Sequence, residues 1–170
     1  IPPASANELA PDFKIIPDAE LFYSPSAVGF DTQAIVTQFG GKLASYSEEL
    51  EDGTKLSGAQ IVQKVAEDFS VNPRLLLVVL EDRSGWLTGA GRANIKEDYP
   101  LGLQDANRKG LYKQLSWAAN EMTRGYTLWS QAEVAVWTLA DGTVLRIAPT
   151  INGGTAGVQY MLGLLLGKDD

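Results

Sequence analysis

Six consecutive apolar residues, Leu75 to Leu80, follow Asn72-Pro73 in the stretch NPRLLLVVLEDRSGW. Asn caps a helix start, and Pro fits the first helical position, where an amide hydrogen would have no partner. The run is apolar on every face of the predicted helix, so protein must surround it. The rest of the chain has to supply that enclosure, which makes this the predicted central helix of the fold. The run then meets Glu81, Asp82 and Arg83, before Ser84-Gly85-Trp86. Two readings of that ending compete. One is a catalytic carboxylate at the mouth of a cleft. The other is a helix-end carboxylate, paired with Arg83 or a lysine, on a solvated surface.

The elements that could enclose the helix are legible from caps and spacing. Asp31 caps a short helix carrying Ala34, Ile35, Val36 and Phe39, which Gly40-Gly41 stops. SEELEDGT reads as a charged turn, tightest at Asp52-Gly53. Ser57 and Gln60 form a capping box, and Ile61, Val62, Val65, Ala66 and Phe69 recur at helical spacing behind it, predicting a helix over 58–69. Residues 84–107, with Gly85, Gly89, Gly91, Pro100 and Gly102, read as one long irregular loop, of a length that is usually functional or disordered. A further helix is expected over 108–124, with Leu111, Leu115, Ala118, Ala119 and Met122 on one face and Arg124-Gly125 at its close.

Residues 133–147 alternate around Asp141-Gly142 and predict a β-hairpin, with Val134, Val136 and Thr138 on one face. Asn152 can cap a last helix bearing Ala156, Val158, Tyr160, Met161, Leu164 and Leu165, whose Gly157 and Gly163 either weaken it or let another helix come close. Residues 1–28 hold five of the eight prolines and read as an extended arm or linker; residues 29–170 are expected to form a single domain. The class is mainly α (α+β), with a buried central helix and a β-hairpin insert.

Composition removes several kinds of function. The chain has no His and no Cys, so the common zinc sites, disulfides, and nucleophiles activated by His are excluded. No metal or cofactor is expected. Proton chemistry would have to rest on Asp, Glu, Lys or Tyr. The net charge of −7 and the scattered basic residues speak against a nucleic-acid backbone as partner. No apolar run approaches the ~20 residues of a membrane span. The Pro-rich opening on Ile1 suggests a piece of a larger chain, cut after a signal or linker.

Three segments together carry a resemblance. VNPRLLLVVLEDRSGW resembles the helix that holds the catalytic Glu in the goose-type and soluble lytic transglycosylase branch of the lysozyme superfamily. YPLGLQD resembles the Gly-Leu-Met-Gln segment that follows it, here as Gly102-Leu103-Gln104. APTINGGTAGVQYM resembles the Tyr-Asn-Ala-Gly segment, here as Ile151-Asn152-Gly153-Gly154. Order and rough spacing match over about residues 57–165. The resemblance implies a lysozyme-like helical fold and a secreted or envelope-attached domain that contacts peptidoglycan or another glycan. It also implies site positions at Ser84, Gly102, Gln104 and Asn152.

The family's catalytic Glu stands directly before the Ser, where this chain has Arg83. Arg cannot release a proton at neutral pH, and beside a carboxylate it lowers that group's pKa, the wrong direction for a glycosidase acid. The remaining candidate acid is Glu81. Two residues of helix turn its side chain by about 200° from the family's position, so it reaches a cleft only if the helix ends early or bulges. Glu121, Asp82, Glu97, Asp98 and Glu133 are expected at the surface. Trp86 and Tyr99, on the long loop, could stack on sugar rings or fill the core; Trp117 and Trp137 are expected in the core. The functional expectation is a cell-wall glycan-processing domain related to lytic transglycosylases. The alternative is a catalytically inactive lysozyme-like domain that binds peptidoglycan or serves as a scaffold for neighbouring domains.

Overall fold

A computed structural model describes residues 8–92 and 94–170. The chain is mainly helical with two small antiparallel hairpins, as expected for an α+β class. Its contacts divide it into two units, one of Ile1–Leu21 with Asn120–Asp170 and one of Phe22–Ala119. This differs from the expected arm followed by one domain. Of the proline-rich stretch, residues 1–7 lie outside the described residues, residues 8–21 are part of the first unit and residues 22–28 part of the second: the Ala10 amide donates to the Arg146 carbonyl at 2.8 Å, the Arg146 amide donates to the Glu8 carbonyl at 2.9 Å, and Leu21 is fully buried. A stretch that shares main-chain hydrogen bonds and contributes to a core is not a free linker.

The unit of Phe22–Ala119 contains α1 (Pro25–Val28), α2 (Thr32–Phe39), α3 (Lys42–Ser45), β1 (Ser47–Glu49), β2 (Lys55–Ser57), α4 (Gly58–Phe69), α5 (Pro73–Ser84) and the first turns of α6 (Leu111–Ser130). Three helices start as their caps dictate. Asp31 accepts from the Ala34 amide at 2.8 Å. Ser57 and Gln60 form both bonds of the capping box. Asn72 accepts from the Arg74 amide at 3.0 Å, with Pro73 behind it. Gly40 and Gly85 close α2 and α5 in the left-handed conformation.

α4 packs against α2, α3 and α5 and buries Ile61, Val62, Val65 and Ala66. α5 buries Leu75, Leu76, Leu77, Val79 and Leu80, while Val78 is 62% exposed. The central helix is thus enclosed on all but one narrow line. The charged segment read as a turn is a full hairpin, with Ser47 opposite Ser57 and Glu49 opposite Lys55.

The other unit contains a single 3-10 turn (Asp18–Glu20), the rest of α6, β3 (Val136–Thr138), β4 (Val144–Arg146) and α7 (Gly153–Gly163). Its core gathers Ala10, Trp137, Ile147, Ala148, Ile151 and Ala156. In the hairpin Trp137 opposes Leu145 and faces the core, while Thr138 is exposed. The Trp137 ring lies 5.3 Å from that of Tyr160, and its indole N–H donates to Gln159 at 3.1 Å.

α6 does not stop at Gly125 but runs on to Ser130. Gly125 and Gly157 are contact residues between α6 and α7: a β-carbon on Gly157 would lie 2.4 Å from the Met122 carbonyl oxygen. Such close backbone approach is the role glycine plays when a helix retains it against its low propensity.

Candidate functional site

The end of α5 leads directly into the loop that carries most of the expected site residues. Its geometry is set by Glu81. One carboxylate oxygen of Glu81 accepts from the Leu87 amide at 2.9 Å and the Thr88 amide at 3.1 Å; the other accepts from the Thr88 hydroxyl at 2.5 Å. The main-chain carbonyl of the same residue takes the Gly85 amide at 2.8 Å. Burial pushes the Glu81 carboxyl up, but the Thr88 hydroxyl, the two amides and the Arg92 charge outweigh it. The group is held below the ordinary carboxylate value. Glu81 is therefore an ionised tie that folds the loop back onto the helix end. Its partners are Leu87 and Thr88, and not Arg83 or a lysine.

Arg83 projects to another place. Its Nε donates to the Leu101 carbonyl at 3.3 Å, and a β-carbon on Gly102 would sit 3.6 Å from its Nη2. Gly102 itself has φ +88, a backbone conformation that suits glycine. So a guanidinium lies beside the Gly102 segment, and Glu81 lies on the loop side of the helix, as the ~200° turn between the two residues requires.

Among the remaining expected residues, Ser84 and Asn152 have their polar groups bonded within the protein. Ser84 is 1% exposed, and its hydroxyl donates to the Leu80 carbonyl at 2.8 Å. Trp86 is 5% exposed; its ring lies 5.0 Å from that of Tyr46, with Lys42 Nζ 4.7 Å from its centroid. Lys42 also pairs with Glu97 at 2.9 Å. Tyr99 is half-buried, with Lys109 Nζ 6.0 Å from its ring. Gln104 is exposed. A shallow concavity of about 250 Å³ is lined by Ser84, Trp86, Lys42, Arg92 and Ile95, and Glu81 does not line it.

Asn152 belongs to the other unit. Its side chain makes no cap bond to α7, contrary to expectation. The amide nitrogen donates to the Ile16 carbonyl at 2.8 Å and to Asp18 at 2.6 Å, and its oxygen accepts from the Thr155 hydroxyl at 2.7 Å. Asp18 takes over the capping, accepting from the Gly154 amide at 2.7 Å. Trp117 and Trp137 are buried, as expected. Among the described residues no group of His, Cys, Asp or Glu could hold a metal ion, and no helix is long and apolar enough to cross a membrane.

Two structural anchors escape a reading of local sequence. Gln114 is fully buried. Its oxygen accepts from the Leu101 amide at 3.2 Å, and its nitrogen donates to the Leu103 and Arg108 carbonyls at 2.9 and 2.7 Å. A polar residue on the apolar face of Leu111, Leu115 and Ala118 was the available signal. Glu48 accepts from the Leu111 amide at 2.7 Å and from the Tyr46 hydroxyl at 2.9 Å, placing an anion at the start of α6. Burial, followed by the charge of Glu48, raises the Tyr46 phenol above its ordinary value.

No match emerges among curated proteins or among solved structures. A family model does match, over residues 14–169, and its description is "LasA, N-terminal domain". The match spans nearly the whole chain and both of its units. The chain belongs to the LasA N-terminal domain family.

Proposed function

We propose that the chain is a catalytically inactive, lysozyme-like domain of a secreted, cell-wall-directed protein, acting as a scaffold for a neighbouring domain. The observation that carries this reading is the state of Glu81. A glycosidase acid needs a raised pKa and a free oxygen facing substrate. Glu81 instead gives both oxygens to its own loop and is held ionised. On the lysozyme-like comparison the acid's position is taken by Arg83, which is engaged with Leu101.

Two further observations favour a scaffold over a glycan binder. Trp86 is covered by Tyr46 and Lys42, which leaves no open face for a sugar ring. The family description names an N-terminal domain, which supports a place within a longer chain. On this reading the domain works in the cell envelope or outside the cell.

The test is muropeptide release from purified peptidoglycan by the native chain and by Glu81→Gln. The expected result is no release from either, and no pelleting with the wall. Release by the native chain that the variant loses would place the acid at Glu81 and overturn the proposal.

A further inference from the structure

The unit of Ile1–Leu21 with Asn120–Asp170 carries an open apolar groove of about 280 Å³. Phe13, Ile15, Trp137, Leu145, Leu162 and Leu166 line it. One wall is formed by Ala10, Pro11, Phe13 and Ile15, of which Phe13 is 63% and Ile15 40% exposed. Large apolar side chains exposed together beside a preformed groove mark a contact site more often than a neutral surface. The volume lies at the small end of ligand cavities, enough for one or two side chains of a polypeptide.

The groove's rim decides what those side chains should be attached to. Lys168 is neutralised by Glu8 at 2.6 Å. Asp141, Asp169 and Asp170 do not line the groove themselves but neighbour its lining residues Gly167 and Lys168. Asp141 takes the Lys168 and Thr143 amides at 2.9 and 2.8 Å, and Asp170 takes the Gly167 amide at 2.7 Å. Those amide bonds hold the Asp141 carboxyl below its ordinary value, so it is charged at neutral pH. A second copy of a chain with net charge −7 would bring the same acidic rim against this one, and an anionic lipid or nucleic acid would be repelled.

We propose that this groove docks a segment of the neighbouring domain in which large apolar side chains alternate with lysines or arginines. The inference rests on the scaffold reading and gives it a place and a partner chemistry. The apolar side chains fill the groove beside Phe13 and Trp137. The cations face Asp141, Asp169 and Asp170.

Two synthetic heptapeptides test it, both blocked at the ends: one alternating Lys with Leu and Phe, the other with Glu in place of Lys. Each is titrated into the 170-residue chain by calorimetry at low and at physiological salt. The expected result is saturable one-to-one binding of the Lys peptide, weakened by salt, with the Glu peptide at least tenfold weaker. Phe13→Ser should weaken the Lys peptide at least tenfold with an unchanged circular dichroism spectrum, because Phe13 lies outside the core. Glu49→Gln, on the β1–β2 hairpin of the other unit, should leave it unchanged.

Equal binding of the two peptides, absence of binding, or an unaffected Phe13→Ser variant would each overturn the proposal. So would dimerisation of the chain that Phe13→Ser abolishes, since that assigns the groove to a second copy. None of these outcomes touches the inactive-domain reading, which stands or falls on muropeptide release.

Discussion

Gln114 and Leu101 are joined across the loop that follows α5: the buried amide oxygen of Gln114 accepts the Leu101 amide, while Arg83 donates to the carbonyl of the same residue. With the two further bonds from Gln114, three main-chain groups of the loop depend on one side chain of α6. Gln114→Leu keeps the volume and removes every partner. The expected loss is about 2–4 kcal/mol, because buried groups left without a hydrogen bond lose their full solvation. Urea unfolding gives the value, and hydrogen exchange at Leu101 should accelerate. A loss within about 0.5 kcal/mol would mean that water replaces the amide without penalty.

The tie between Glu81 and Thr88 lends itself to a double-mutant cycle. Glu81→Gln should destabilise the chain by about 1–3 kcal/mol and Thr88→Ala by about 1 kcal/mol, since hydrogen bonds to a charged acceptor exceed neutral ones. The two effects should fall short of additivity, because they share one bond. Strict additivity would show that the two residues act separately in solution.

The same carboxylate predicts a pH dependence. Its folded pKa lies below the ordinary 4.5. Its contribution is therefore fully present above that value and is lost as pH falls through the lower, folded one. The stability gap between the native chain and Glu81→Gln should be constant from about pH 6 upward and shrink below about pH 4. A gap that instead widens in acid would mean a raised pKa, the property of a catalytic acid, and would revive that role.

Gly157→Ala offers a test of the contact between α6 and α7. In an exposed helix interior the change stabilises by about 1 kcal/mol. Here the new methyl would meet the Met122 carbonyl oxygen at 2.4 Å, and a main-chain atom cannot swing aside. The melting temperature should fall, by an amount typical of core overpacking at about 1–3 kcal/mol. A rise would show that the two helices separate easily.

Asp18→Ala removes the cap of α7 and a partner of Asn152. A lost cap costs about 1 kcal/mol, and Asp18→Asn should retain most of it. Thermal unfolding of the two variants separates capping from charge: equal losses would leave capping out.

What the sequence made legible was what its neighbours along the chain decide. α4 begins and ends as expected because Ser57 and Gln60 bond each other three residues apart, and α5 because Asn72, Pro73 and Gly85 mark it locally. The hairpin over 47–57 is not marked locally, because its strands are three residues long and half of their residues are charged, so no alternation shows. α6 outran its expected end because the partner of Gly125 lies thirty or more positions away on α7. Around the candidate site the partners of the named side chains are not legible locally. The direction of Glu81 depends on Thr88, and that of Asn152 on Asp18, and neither pairing follows from periodicity.

The division of the chain also sets an order in time. Phe22–Ala119 is continuous, so every residue it needs has left the ribosome once that stretch has emerged. The other unit joins the two ends of the chain: Ala10 waits for Arg146, and Asp18 for Gly154. Closing so long a loop slows nucleation, and it costs less entropy once the intervening segment is already compact. During synthesis the arm with its exposed Phe13 and Ile15 stays unpaired until the last helix arrives, and for that interval it is the stretch most open to chaperones and proteases.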